Sequence, residues 1–303
     1  MNRHGAASFA EVVALCWRRP GLLASELAWR WIYGIPALAA VAVACYHIYQ
    51  LTSGTLQAAG VGQISFGDPY RSAAIVAVVA QILRPVLREI ALWLLPVLGI
   101  GWAIAAGVGR NIVFRCYAPG LPWRPAALTC VQAIRVIGLA VTLALWWGSM
   151  RWSAAVSTVA GVPNLLVYFG LVAIFTLGFL VIWSLFSWVF SIAPLFLLVE
   201  GKSLALSLRR SFWPGSATGR LVGVNLAVAL IRFGLAVFAT VLSLLPLAFV
   251  SSAQSLAPYL WLGAVTVLYM VVSGFFQVVR LAAFVEFWKP AQVLQDPASP
   301  PLT

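Results

Sequence analysis

An all-α, polytopic transmembrane helical bundle of about six spans is the fold this sequence predicts, and three observations carry it. Of 303 residues 63% are hydrophobic and only 9% charged, with a mean hydropathy of +0.99. Apolar runs recur along the whole chain at or above the roughly 20 residues that a helix needs to cross about 30 Å of hydrocarbon. Those runs are about two to three times longer than the alternating segments of a transmembrane β-barrel, which excludes that class.

The spans fall at 31–51, 89–109, 126–149, 165–190, 221–246 and 260–284. They form one transmembrane domain over 1–290, with 1–28 a cytoplasmic interfacial segment and 291–303 a short disordered cytoplasmic tail ending Pro-Ala-Ser-Pro-Pro-Leu-Thr. The N-terminus does not read as a cleavable signal, because Arg18-Arg19-Pro20 interrupts the early apolar stretch and no small-residue cleavage site follows.

The net charge of +12 would suggest nucleic acid in a soluble protein. In a membrane protein it reports orientation, because Lys and Arg collect on cytoplasmic loops. One set holds Arg3, Arg18, Arg19, Arg30, Arg110, Arg115, Arg124, Lys202, Arg209, Arg210, Arg220, Arg280 and Lys289, and the other only Arg71, Arg84, Arg88 and Arg151. A bias of about three to one places both termini on the cytoplasmic side of a bacterial inner membrane.

Between the first two spans Gln81, Arg84 and Arg88 form one polar stripe, and Pro85 breaks this segment from span two. The segment 72–88 is therefore expected to lie along the outer surface. After span four the chain reads Ala-Pro-Leu-Phe-Leu-Leu-Val-Glu-Gly-Lys-Ser from Ala193 to Ser203, then Leu204 to Trp213. Gly201-Lys202-Ser203 imitates the end of a phosphate-binding loop, but Phe196 stands where that loop needs its first glycine, so nucleotide binding is excluded. Pro194 favours a kink and Gly201 a left-handed helix cap. Beyond it Ser203, Ser207, Arg210 and Ser211 form one face and Leu204, Ala205, Leu208 and Phe212 the other, an interfacial amphipathic helix with its apolar side toward acyl chains. Arg209 and Arg210 would then meet anionic headgroups. Glu200 opposes the helix dipole and calls for a base, from Lys202, Arg209, Arg210 or Arg232.

Segments recur. Ala14 to Arg19 parallels Ala205 to Arg210, Ile134-Arg135 parallels Ile231-Arg232, and Val199-Glu200 parallels Val285-Glu286, with Arg30 a third arginine of the set. The pattern is that of three helical hairpins, each preceded by an inner-surface helix, or of chance likeness among Leu, Ala and Val. Superposing 126–190 on 221–286 should align Arg135 with Arg232 if the repeat is real.

Pro194, Val199-Glu200-Gly201, Leu206 through Leu208-Arg209-Arg210-Ser211, and Phe212-Trp213 resemble a pattern of a bacterial six-span inner-membrane family. That family includes the membrane domain attached to some glycerophosphoryl diester phosphodiesterases, and Ser207 departs from its usual alanine. The resemblance covers about Ala193 to Leu247 and implies a six-helix fold. It brings no catalysis, since the phosphodiesterase chemistry belongs to a separate metal-binding domain.

Chemistry-bearing residues are few. His4 and His47 have no carboxylate partner at helical spacing, and the seven acids, Glu11, Glu26, Asp68, Glu89, Glu200, Glu286 and Asp296, make no paired motif. No catalytic, cofactor or metal residues emerge, and the four cysteines read as free apolar fillers. Tryptophans at 29, 31, 123, 146, 147, 152, 213, 261 and 288 cluster near span ends as an interfacial belt. The sharper signal is charge within spans. Arg135 and Arg232 either snorkel to inner headgroups or converge, with Arg30, on Glu200 and Glu286 as an ion-pair ring or an anionic-headgroup pocket. The expected function is a non-enzymatic scaffold or accessory factor in an envelope or lipid process, binding anionic lipid or a membrane protein partner. The alternative is a small-solute or lipid transporter, for which Pro96, Pro194 and Pro246 are the hinge candidates, although they sit at different depths.

For the topology, a Cys placed by Arg151→Cys is expected to react with an impermeant maleimide added outside. Labelling from the cytoplasmic side alone would reverse the orientation.

Overall fold

The computed structural model describes residues 8–63, 68–159, 162–212, 218–245 and 256–295. Eight α-helices are present: α1 (Phe9–Trp17), α2 (Pro20–Ala58), α3 (Pro69–Tyr117), α4 (Pro125–Val156), α5 (Leu165–Val199), α6 (Leu204–Ser211), α7 (Thr218–Leu244) and α8 (Ala257–Gln295). Thr158–Val159 and Val162–Pro163 make a two-residue antiparallel bridge at the tip of the α4–α5 hairpin. Six helices are long and apolar enough to cross a membrane, and the chain is an integral membrane protein with six spans. Arg3, His4, Trp213, Pro246, Asp296 and the final residues lie outside the described residues.

The chain divides into two compact units, Arg30–Ala105 and the remainder. In the first of these, α2 and α3 form a hairpin around Ala44, Ile90 and Leu94, flanked by Ala40, Ile48, Val86 and Leu98. The Tyr33 hydroxyl donates to the Leu98 carbonyl at 2.7 Å, and its ring meets Trp102 edge-on at 5.5 Å. Gly60 at φ 77° makes the turn that a side chain would strain. The segment 72–88 does not stand apart as an outer-surface helix: α3 runs unbroken through Pro85 and Pro96. Each proline removes a single helix hydrogen bond, and contacts on both sides of Pro85, at Ile75 and at Val86 and Ile90, hold the helix together. Apolar surroundings tolerate such a break where neighbouring backbone re-satisfies it.

The larger unit has a packed base and two hairpins that rise from it. Val189 to Leu198 of α5 are all buried, as are Val278, Val279 and Leu281 to Val285 of α8. Phe196 and Trp288 meet edge-on at 4.8 Å. Leu128 and Val131 of α4 and Leu221, Val224 and Val228 of α7 complete the core. Small residues allow the close approaches. A Cβ on Gly107 would overlap the backbone and Oγ1 of Thr129, and one on Gly109 would overlap the Trp29 ring. Trp29 and Trp288 are thus core residues and not part of an interfacial belt, whereas Trp17, Trp31, Trp123, Trp147, Trp152 and Trp261 are exposed.

Away from the base the hairpins keep only their internal pairing. The Trp146 indole donates to Thr176 Oγ1 at 3.0 Å across α4 and α5, and the Trp261 indole to the Leu242 carbonyl at 2.8 Å across α7 and α8. No residue is buried from Ala133 to Trp152, from Leu165 to Trp188, or from Ala229 to Leu244. At 1.5 Å per residue these stretches measure about 24 to 36 Å, which brackets the thickness of a hydrocarbon core.

Two short helices brace the base. Ser8 and Glu11 close a capping box on α1, with Glu11 Oε2 accepting from the Ser8 N–H at 2.8 Å. Val12 and Cys16 face inward, and burial pushes the Cys16 thiol up to about 11 against the opposing effect of Arg19. Helix α6 packs its serine stripe inward. Ser207 and Ser211 are buried, while Leu206 and Phe212 are exposed, because a serine stripe lets the helix pack closely on the end of α5. Cys16 and Ser207, which the repeat pairs, are both buried. Val131 and Val228 are buried too, each one turn before Arg135 or Arg232.

Gly107→Ala is expected to lower stability by about 1–3 kcal/mol, read as a lower melting temperature in detergent. Gly148→Ala, whose Cβ would meet nothing within 4 Å, is expected to leave it unchanged or raised.

Candidate functional site

Where the packed base gives way to the exposed hairpins, the larger unit gathers its arginines. Arg135 stands at the foot of the exposed stretch of α4, Arg232 at that of α7, and Arg280 on the third turn of the buried half of α8, with Arg110 on α3. The charges of Arg110, Arg232, Arg135 and Glu26 all act on Arg280, and Arg135 and Arg232 act on each other. Among the described residues the charges that act on Arg280 are thus three guanidinium groups and one carboxylate.

Polar neighbours hold these side chains. The Arg232 Nε donates to Ser273 Oγ at 3.1 Å and its Nη1 to Gln277 Oε1 at 3.5 Å. Arg280 Nη1 donates to Asn225 Oδ1 at 3.2 Å. Glu26, only 1% exposed, accepts from the Trp29 indole at 2.8 Å. Polar atoms are left over: Arg280 Nε and both polar atoms of the Asn111 and Gln132 carboxamides are buried with no hydrogen-bond partner among the described residues. Such groups each cost about 1–3 kcal/mol when left unmet.

Of the residues singled out by sequence, Arg135 and Arg232 lie near enough for their charges to act on each other. Arg30 opens the other unit. Glu286 accepts from the Tyr117 hydroxyl at 2.8 Å. Glu200 is paired locally, with Lys202 Nζ at 2.8 Å and Arg210 Nη1 at 3.1 Å, and the Arg210 guanidinium also lies over the Phe196 ring, 5.7 Å from its centre. The expected cap is present, with Gly201 at φ 65° and the Lys202 N–H reaching the Phe196 carbonyl at 3.5 Å. Arg124 of the α4 start ties this turn down by donating to the Gly201 carbonyl at 2.8 Å. Arg209 is exposed, whereas Arg210 is half-buried.

Three members of the cluster escaped sequence reasoning. Arg110 falls just past the expected second span yet lies inside a helix, and Arg280, within the expected sixth span, was counted only among the cytoplasmic charges. Glu26 lies in a helix that begins at Pro20, ahead of the expected first span. The available signal was the spacing of Ser273, Gln277 and Arg280, which puts three polar residues on one side of an apolar helix. Among the described residues no three His, Cys, Asp or Glu side chains gather in a metal-holding group.

No protein-family model, curated protein or solved structure matches the chain. The six spans that the resemblance implies are present, and no family is identified.

Glu26→Gln keeps the size of the side chain and removes the charge. It is expected to cost about 3–5 kcal/mol by leaving buried arginines without their counter-charge, read by thermal melting. Adding Arg280→Gln should restore part of the loss in a double-mutant cycle. A purely steric role for Glu26 would leave the single variant unchanged.

Proposed function

We propose that the protein is a non-enzymatic multi-pass protein of the bacterial inner membrane that holds an anionic ligand, an anionic lipid headgroup above all, and so organises an envelope or lipid-related process. The single observation that carries this reading is the gathering of three further guanidinium groups and only one carboxylate around Arg280. A charge surplus inside a bundle is costly unless an anion or water meets it, and guanidinium is the side chain best shaped for phosphate oxygens.

Depth supports a headgroup over a deeper ligand. Laying the exposed stretches of α4, α5 and α7 across a bilayer puts Arg135 and Arg232 at the edge of the hydrocarbon, where phosphates lie. The positive-inside bias makes that edge the cytoplasmic one. The base then projects into the headgroup layer and beyond, with α6 bracing it and Arg209 on its surface adding attraction of roughly 1 kcal/mol to an anionic leaflet.

Native mass spectrometry of the purified protein tests this. Wild type is expected to retain phosphatidylglycerol over phosphatidylcholine by about tenfold, the equivalent of one charge-assisted hydrogen bond, and the Arg135→Gln/Arg232→Gln variant to lose that preference. An unaltered preference in the variant would contradict the reading, and net movement of inorganic phosphate across sealed vesicles would favour the transporter alternative.

A further inference from the structure

Beside the arginine cluster, on the same hairpin, α7 and α8 leave an apolar groove of about 120 Å³ lined by Leu235, Phe238, Ala239 and Leu242 on one side and by Val265, Leu268, Tyr269 and Val272 on the other. Its lower end adjoins the cluster in sequence and in space. Leu235 is one turn beyond Arg232, and Val272 precedes Ser273, whose hydroxyl accepts from Arg232 Nε. From Leu235 to Leu242 the groove follows α7 for about 10 Å. Phe238 and Leu268 on its rim are 59% and 55% exposed, so it opens sideways, toward the stretch of hairpin that matches hydrocarbon.

Resting on the proposed anion-binding role, we infer that this groove holds one acyl chain of an anionic phospholipid whose phosphate is gripped at Arg232. The ligand is thereby a lipid and not a free anion. Charge complementarity selects it, since the groove is apolar along its length and ends at a positive cluster that has buried donors to spare, Arg280 Nε among them. Direction agrees as well. With its head at Arg232 and its tail running toward Leu242, the molecule points the way a lipid of the leaflet nearest the base must point. Ala239 is the smallest residue of the α7 wall, and its missing bulk makes the room. The arginines supply the attraction common to any phosphate, whereas the groove rewards only a ligand that carries a chain, because each methylene removed from contact forfeits favourable burial.

The test uses the full-length protein in nanodiscs of phosphatidylcholine with a small fraction of phosphatidylglycerol carrying a photoactivatable diazirine in one acyl chain. Adducts mapped by mass spectrometry are expected on the segments 235–242 and 265–272, and unlabelled phosphatidylglycerol, unlike extra phosphatidylcholine, is expected to displace them. Ala239→Trp, which fills the groove, is expected to reduce these adducts about tenfold, the worth of roughly two methylenes. Inorganic phosphate is expected to raise the melting temperature of the wild type, and that rise should persist in Ala239→Trp and disappear in Arg232→Gln. Adducts spread evenly over α4, α5, α7 and α8, adducts that phosphatidylglycerol does not displace, or crosslinks from the groove to a second copy of the chain each overturn the groove. If instead Arg232→Gln leaves the phosphate effect intact, the anion-binding role itself fails. Should Ala239→Trp not fold, the wild-type adduct map and its competition decide alone.

Discussion

Guanidinium groups in an apolar bundle must meet water, a counter-charge or an anion, and the larger unit is built around that requirement. Arg110, Arg135, Arg232 and Arg280 come from four different helices, so no single helix carries the whole electrostatic burden. They meet where protein packing ends and the lipid-facing stretches begin. Deeper placement would cost several kcal/mol per charge, and placement on the outside of the base would leave them hydrated and separate. The seam lets them share Glu26, Ser273, Gln277 and Asn225 while keeping a surplus of positive charge.

Packing below the seam makes this arrangement rigid. The ten consecutive buried residues from Val189 to Leu198 form the hub on which α6 and α8 lean, and Gly107, Gly109 and Gly274 bring α3 and α8 within contact of Thr129, Trp29 and Leu27. In a membrane such close approach is the main source of helix association, since lipid offers no hydrophobic drive between helices. Above the seam each hairpin holds itself with an indole hydrogen bond and presents leucine, valine and phenylalanine outward. Rigidity is therefore concentrated where the charges are, and the α7–α8 groove opens where packing loosens.

Much of this was legible in the sequence because long apolar runs leave little choice of fold. The left-handed cap at Gly201 and the pairing of Glu200 with Lys202 and Arg210 followed from local rules of helix termination and short range. The nearness of Arg135 and Arg232 was one of two readings that their parallel settings left open, the other being separate snorkelling to headgroups. What hydropathy misplaced depends on partners from other helices. Arg110 looks like a loop charge just past span two, and Arg280 like a charge at the cytoplasmic end of span six, yet tertiary neighbours let their helices continue around them. Pro85 looks like a break until the facing helix is known. The serines of α6 look like a solvated face, although their small size is what suits them to a tight contact with α5.

The proposed phosphate recognition rests on the seam of arginines and the groove above it, and the packed base fixes where those arginines sit. An electron cryo-microscopy map of the protein in nanodiscs containing phosphatidylglycerol tests that account most directly. The account predicts a compact density peak bridging Arg232 and Arg280, continuous with a thin tail along Leu235 to Leu242. Guanidinium groups turned outward to separate headgroups, with no shared density between α7 and α8, would contradict it.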